Sequence, residues 1–460
     1  MERRTFFQSS VAIAGLGCLS IGSHAQDSRE IKLEEKRLNR KASAPSDLRI
    51  TDLRVASLNQ FPHNSTIIRI DTNQGISGWG EVRDGASPTY ALMLKSRLLG
   101  ENPCDVDRLF RKIKQLGTHG RAAGGVSGVE MALWDLAGKA FEVPVYQLLG
   151  GKFRDKIRVY ADTRQTSSQK SGELPLSGKQ AGEVLRERMK KGFTWLKCDI
   201  GIGLLEGYSG CTSRPLPVVD SPNTFSATLS SGVEVTPKGI EMLAGYISDI
   251  RSIIGMEVPL AIDHLGPISV NSAIRLAKAL EPFSLAWIED PIPWKFVEQL
   301  HEISIASTTP ILTGEDIYLK EDFNYLTKAG AVDILHPDLG SSGGILETKK
   351  IADYASERGV PVAIHCSSSP IQFFASVHCA AAIENFLCLE HHGVDIPDWD
   401  SLALGLDKPI VIDGFVELPN RPGIGFELNE EVARKHAGKY GFFEPTPEWD
   451  VEQSWDRTWS

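Results

Sequence analysis

Three apolar runs deliver carboxylates at regular spacing: PLAID at Asp263, LAWIED at Glu289 and ILTGED at Glu315, 26 residues apart from 263 to 289 and again from 289 to 315. Carboxylates brought to one place repel each other unless a cation neutralises them. An all-oxygen donor set suits Mg²⁺, with Mn²⁺ as the alternative, and does not suit zinc, which prefers His and Cys. Further along, Asp338 and His365 end two more apolar runs. A carboxylate on a neighbouring strand can hold the second N–H of an imidazole, fix its tautomer and raise its basicity, as general acid–base catalysis requires. Lys197 and Asp199 are two residues apart and so share one face of an extended segment. Glu390 ends a last run, and His264 directly follows Asp263.

Strands must position these groups. Apolar runs at 157–162, 194–199, 259–263, 285–289, 310–315, 332–338, 361–365 and 386–390 alternate with amphipathic helical patterns, among them 270–280, 296–305, 345–358 and 373–383. Eight strands over about 240 residues predict a closed parallel α/β barrel, a (β/α)₇β TIM-like barrel over residues 156–400, with its chemistry at the C-terminal strand ends. After Asp199, residues 201–237 are rich in Gly, Ser, Pro and Thr and exceed the usual βα connection, which predicts a lid or a substrate-contacting excursion.

Before the barrel, TIIRID (66–71) and ISGWGEV (76–82) flank a turn composition and predict a hairpin. In the stretch from Gly125 to Gly151, Val129, Leu133, Leu136 and Ala140 recur at helical spacing and predict one buried helix face, with Glu130, Trp134 and Asp135 read as packing and surface charge. Residues 48–155 thus read as an α+β capping domain, and the 401–460 segment, too short for a domain, is expected to pack on it. Residues 1–25 carry Arg3-Arg4, Phe6-Phe7 and an apolar run too short to span a bilayer, ending in Ser23-His24-Ala25. They predict a twin-arginine-like export signal to the periplasm, with a linker at 26–47 and no stable membrane insertion.

The 460 residues carry a formal net charge of −10, which argues against a nucleic-acid footprint. No P-loop or GxGxxG follows any strand, so nucleotide chemistry is disfavoured. Seven cysteines at 18, 104, 198, 211, 366, 379 and 388 show no CxxC pair, and disulfides stay unassigned.

GISGWGEV, ALWDLAGK, the acid triplet, PDLGSSGGILETKKIA before His365, and the closing PGIGFEL together resemble the enolase superfamily, in its mandelate racemase/muconate lactonizing enzyme-like group. The resemblance spans about residues 48–429. It implies an α+β cap completed by the C-terminal segment over the (β/α)₇β barrel, Mg²⁺ on Asp263, Glu289 and Glu315, and an Asp338–His365 dyad. It further implies proton abstraction α to a carboxylate, through an enediolate.

Racemases of this family set the second lysine of a Lys-x-Lys pair opposite the histidine. Here that position is Asp199, which favours a one-base β-elimination like that of the family's acid-sugar dehydratases, giving a 2-keto-3-deoxy acid. Their acid histidine often stands two residues beyond the first metal ligand, where this chain has Leu265. That leaves His264 or His365 itself as the proton donor. Racemisation, epimerisation or cycloisomerisation on the same enediolate is the alternative, and a non-catalytic acid-sugar sensor the third reading. Sugar hydroxyls are expected to meet His63, Asn64, Arg83, His336 and the His391-His392 pair. A homo-oligomer is expected.

Overall fold

The computed structural model describes residues 44–59, 61, 64–163, 176–213, 233–266 and 268–451. The expected leader with Cys18, nearly all of the linker, His63 and the middle of the 201–237 excursion lie outside the described residues.

The cap begins with β1 (Ile50–Leu58), β2 (Thr66–Thr72) and β3 (Ser77–Val82), the last two forming the expected hairpin. The barrel strands are β4 (Lys156–Ala161), β5 (Leu196–Asp199), β6 (Leu260–Asp263), β7 (Ile288–Glu289), β8 (Ile311–Thr313), β9 (Ile334–Leu335), β10 (Val362–Ile364) and β11 (Phe386–His391). They pair in parallel in chain order, and β11 returns onto β4 through Leu389–Val159, Glu390–Tyr160 and His391–Ala161, closing the barrel. Its interior is filled by one layer of inward side chains: Tyr160, Ala261, Trp287, Leu312, Ile334, Ala363 and Cys388. Because side chains alternate along a strand, residues two further on face the same way. That register lifts Asp162, Asp263, Glu289, His336, His365 and Glu390 to the C-terminal mouth, directly above that layer.

Cap helix α1 (Gly124–Phe141) is followed by barrel helices α2 (Gly178–Lys190), α3 (Pro237–Ile254), α4 (Val270–Leu280), α5 (Val297–Ala306), α6 (Lys320–Ala329), α7 (Ile345–Ser356) and α8 (Pro370–Ala381). Several start where a hydroxyl satisfies an orphan N–H: Ser177 accepts from Gln180, Thr236 from Gly239, Ser269 from Ser272 and Ser369 from Ile371.

Helix α1 departs from the expected one-sided amphipathic helix. It is buried nearly all round, including Glu130 and Asp135, because it lies between the cap sheet and the barrel. Its glycines allow that approach: a Cβ on Gly128 would meet the Glu81 carbonyl oxygen at 2.5 Å. Neither acid is surface charge. Asp135 accepts the N–H groups of Trp79 and Ile424, both at 2.9 Å, and pairs with Lys139 at 2.9 Å. Glu130 accepts Ile345 N–H at 2.7 Å and Leu346 N–H at 3.0 Å, capping α7 from the other domain.

The C-terminal segment contributes β12 (Ala403–Leu404), β13 (Val411–Ile412), β14 (Phe415–Glu417), β15 (Glu427–Leu428) and β16 (Ala437–Phe442). Strand β16 pairs with β1 as an edge of the cap sheet, whereas β14 pairs antiparallel with the start of β4, so the segment touches both units. The six cysteines from 104 to 388 are all unpaired.

Candidate active site at the barrel mouth

The parallel bridge between Asp338 and His365 sets the two groups beside each other across β9 and β10. His365 Nδ1 lies 2.6 Å from Asp338 Oδ2. The other Asp338 oxygen accepts from Gly340 N–H at 2.6 Å and Gln372 Nε2 at 3.0 Å. Arg83, which follows cap strand β3, is 1% exposed and puts Nη1 3.3 Å from Asp338. Burial pushes the Asp338 carboxyl up, but Arg83 and the bond to His365 outweigh it and hold the pKa below the ordinary value. The dyad is therefore braced by the cap: Arg83 reaches Asp338, and Glu81 accepts Ser369 N–H at 2.9 Å and Gln372 N–H at 3.2 Å.

Lys197, on β5, is the second organising group. Its ammonium lies 2.9 Å from Asp263, 3.0 Å from Glu289 and 3.1 Å from Glu390. Burial lowers its pKa, yet those three carboxylates outweigh burial and keep it charged, well above the ordinary value. Glu289 also accepts from Trp287 Nε1 at 3.1 Å and faces His336 Nε2 at 3.3 Å. Glu315 turns to His365 Nε2 at 2.8 Å and to Arg83 at 3.7 Å. Burial raises Glu315, but His365, Arg83 and Lys197 drive it well below the ordinary carboxylate range. Burial depresses His365, while Glu315 and Glu390 more than compensate and raise it well above 6.5.

Around this centre, Asp199 is pushed up to about 7 by burial and by Asp162 beside it. His264 stands at the rim with φ of 60°, its Nε2 3.7 Å from Asp263 and 3.8 Å from Asp199, and Asp263 raises it to about 9. His336 is fully buried, its Nδ1 3.0 Å from the Ala363 carbonyl, so it supports Glu289 from within the wall. Two expected hydroxyl contacts are placed elsewhere. His391 points out of the barrel, packed between Phe373 and Trp399 with ring centroids 5.0 and 4.7 Å away, because strand alternation turns it opposite to Glu390. Asn64 is an exposed turn residue at φ 64° with no described contact to the strand ends.

Residues 180–432 match the family described as Enolase C-terminal domain-like, and residues 47–150 match the mandelate racemase/muconate lactonizing enzyme N-terminal domain. The chain belongs to the enolase superfamily, in its mandelate racemase/muconate lactonizing enzyme group. Among similar curated proteins of this superfamily, a D-xylonate dehydratase of Haloferax volcanii is 31% identical over 89% of this chain and 93% of its own. A D-galactonate dehydratase of Verminephrobacter eiseniae is 29% identical over 81% of this chain and 91% of its own. Among solved structures, a mandelate racemase/muconate lactonizing enzyme-like protein from Rubrobacter xylanophilus superposes with a TM-score of 0.75 at 33% identity, covering 86% of this chain and all of that one.

Enolase-superfamily proteins generally use Mg²⁺. The donor chemistry here fits such an ion. Asp263, Glu289 and Glu315 are all oxygen donors; burial first, and then the charges of Glu315, Glu289 and Asp263, push the neighbouring Asp290 carboxyl well above its ordinary range. Their geometry differs from the single tight triad expected. The three acids take the cations that the chain itself supplies, Lys197 for Asp263 and Glu289, His365 and Arg83 for Glu315. Among the described residues, only Asp162, Glu390 and His392 form a group whose donor atoms all lie within 4.8 Å of one another.

Asp162 is not among the sequence-predicted site residues, although it ends IRVYAD two residues beyond the inward Tyr160. Strand alternation would have found it, as it would have separated His392, in register with Cys388 and Glu390, from His391. Glu81, Asp290 and Gln372 had no comparable signal.

Proposed function

We propose that this protein is a Mg²⁺-dependent acid-sugar dehydratase that converts an aldonate- or uronate-type acid to a 2-keto-3-deoxy acid. The observation that carries the reading is a single complete dyad: Asp338–His365 on one side of the mouth, and at the racemase lysine position a carboxylate, Asp199. Relatives named D-xylonate and D-galactonate dehydratase support it.

Removing a proton α to a carboxylate piles a second negative charge onto the carboxylate oxygens. Asp263, Glu289 and Glu315 would hold a divalent ion, which would supply Lewis-acid stabilisation of that charge. The buried Lys197 ammonium adds a fixed positive charge beside Asp263 and Glu289. His365 Nε2 takes the α-proton in its unprotonated form, which requires Glu315 to be engaged elsewhere than at Nε2. Asp338 holds Nδ1 and stabilises the imidazolium formed. The electron pair released at Cα then expels the β-hydroxyl, which leaves as water once protonated, and the enol product tautomerises to the keto acid. The leaving oxygen is protonated by His264 at the rim, giving its own proton, or by His365, returning the one it took.

The test is incubation of Mg²⁺-loaded protein with a panel of aldonic and uronic acids in D₂O. Keto-acid formation supports dehydration. Deuteration at Cα with inversion and no keto product would replace it with racemisation or epimerisation. Binding without exchange, unaffected by His365→Asn, would favour a sensor. We further propose export to the periplasm by the Arg3-Arg4 leader and assembly as a homo-oligomer, both resting on the sequence.

A further inference from the structure

We propose that His392 is the proton donor to the departing β-hydroxyl, with Asp162 and Glu390 as the groups that hold its ring. The inference rests on the dehydration reading and names the acid that reading leaves open.

Along β11 and just beyond it, Cys388, Glu390 and His392 fall on one side of the alternation, and Cys388 lies in the barrel interior. His392 therefore turns to the mouth where His391 turns away. Its Nδ1 lies 3.7 Å from Asp162 Oδ2 and its Nε2 3.4 Å from Glu390 Oε1. Glu390 is itself fixed: Oε2 accepts Cys366 N–H at 3.2 Å and lies 3.3 Å from His365 Nε2, while Oε1 is shared with Lys197. Two carboxylates from two strands thus flank one imidazole at ion-pair distance, with Nε2 making no hydrogen bond among the described residues, a looser hold than the 2.6 Å bond between Asp338 and His365.

The ring centroids of His365 and His392 are 6.5 Å apart. A base and an acid serving one elimination act on atoms attached to neighbouring carbons about 1.5 Å apart, each from about 3 Å away. Two rings on the adjacent strands β10 and β11 meet that requirement. Burial lowers His392, but Asp162 and Glu390 outweigh it and raise its pKa above the ordinary value, which favours the protonated form an acid needs. His264, by contrast, has a side chain 64% exposed at the far rim. In the step, the Cα–H bond breaks toward His365 Nε2, its electrons form the C=C bond, the Cβ–O bond breaks, and the leaving oxygen takes a proton from His392. The substrate loses one water and nothing is oxidised or reduced.

The test compares wild-type protein, His392→Gln and Asp162→Asn, all Mg²⁺-loaded, with D-xylonate and D-galactonate in D₂O. His392→Asn serves as a second variant should Gln fail to fold, with thermal unfolding as the check. Expected are a fall in keto-acid formation of about 100-fold or more, the range for general acid catalysis, and α-deuteration within about threefold of wild type. Asp162→Asn should lower kcat with KM unchanged. An analogue with fluoride in place of the β-hydroxyl needs no proton to leave, so His392→Gln should release fluoride at the wild-type rate. Equal loss of exchange and elimination in folded His392 variants, no loss of either, or activity restored by added Mn²⁺ would each overturn the assignment, the last in favour of a second cation site. Failure of wild-type protein to form keto acid from any acid in the wider panel overturns the dehydration reading itself, and this assignment with it.

Discussion

At the scale of single residues, the mouth is a set of carboxylates whose charge is divided among a few cations, so charge-neutral substitutions are the informative ones. Glu289→Gln keeps volume but removes one oxygen charge from the proposed metal ligands. It should abolish turnover and weaken Mg²⁺ binding by roughly tenfold or more, read by calorimetric titration; full turnover in the variant would remove Glu289 from the metal site. His365→Asn should leave fold and Mg²⁺ binding intact while α-deuteration in D₂O disappears, and exchange that persisted would place the base elsewhere. The sequence made Asp263, Glu289, Glu315, Asp338, His365, Lys197 and Glu390 visible because each ends or lines a strand whose inward register can be counted. Which partner each acid takes was not visible. That depends on side-chain distances of 2.9–3.1 Å across strands, by which Lys197 takes Asp263, Glu289 and Glu390 together.

At the scale of elements, α1 and α8 join the two units. Glu130 satisfies the first N–H groups of α7, so Glu130→Ala strands two buried donors at a cost of about 1–3 kcal/mol each. The expected result is a thermal midpoint lower by several degrees with the Mg²⁺ affinity unchanged. On α8, His378 is fully buried, stacked on Tyr146 with ring centroids 5.8 Å apart, and burial pushes its pKa down to about 4. The unfolded chain, with pKa near 6.5, binds more protons at this site between those values, so the His378 contribution to stability rises with pH from about 4 to 6.5 and is flat above. A shift of that size corresponds to roughly 3 kcal/mol. Buried carboxyls raised toward 7, such as Asp199, act with the opposite sign, so the difference between wild type and His378→Phe is the readout: denaturant midpoints over pH 4 to 7 should gain less, or lose more, with rising pH in the variant, and equal pH dependence would remove His378 from the acid sensitivity. The one-face reading of α1 failed because periodicity reports only the apolar stripe. A helix sandwiched between sheet and barrel buries its polar side as well, provided each acid finds donors, and Glu130 and Asp135 do.

At the scale of the whole molecule, the cap reaches into the proposed dyad. Arg83 from the cap and Asp338 from the barrel meet at 3.3 Å in a buried site. Arg83→Lys replaces a planar fork with a point charge and should lower kcat more than it raises KM, with thermal stability reduced only modestly; unchanged kcat would show that the brace is dispensable. The proposed export predicts that Arg3→Lys with Arg4→Lys retains the protein in the cytoplasm, measured by fractionation.

The sequence alone determined the closed eight-stranded barrel, the hairpin of the cap, and the identity of nearly every ionisable group at the mouth. Those follow from local periodicity, and a closed barrel converts strand register into position with little freedom. Only the tertiary structure decided that Glu130 and Asp135 are buried ties, that Arg83 crosses from cap to dyad, and that Asp162 meets Glu390 around His392. Such pairings join strands and domains far apart in the chain, and their energies come from burial and from opposite charges about 3 Å apart, which no local pattern encodes.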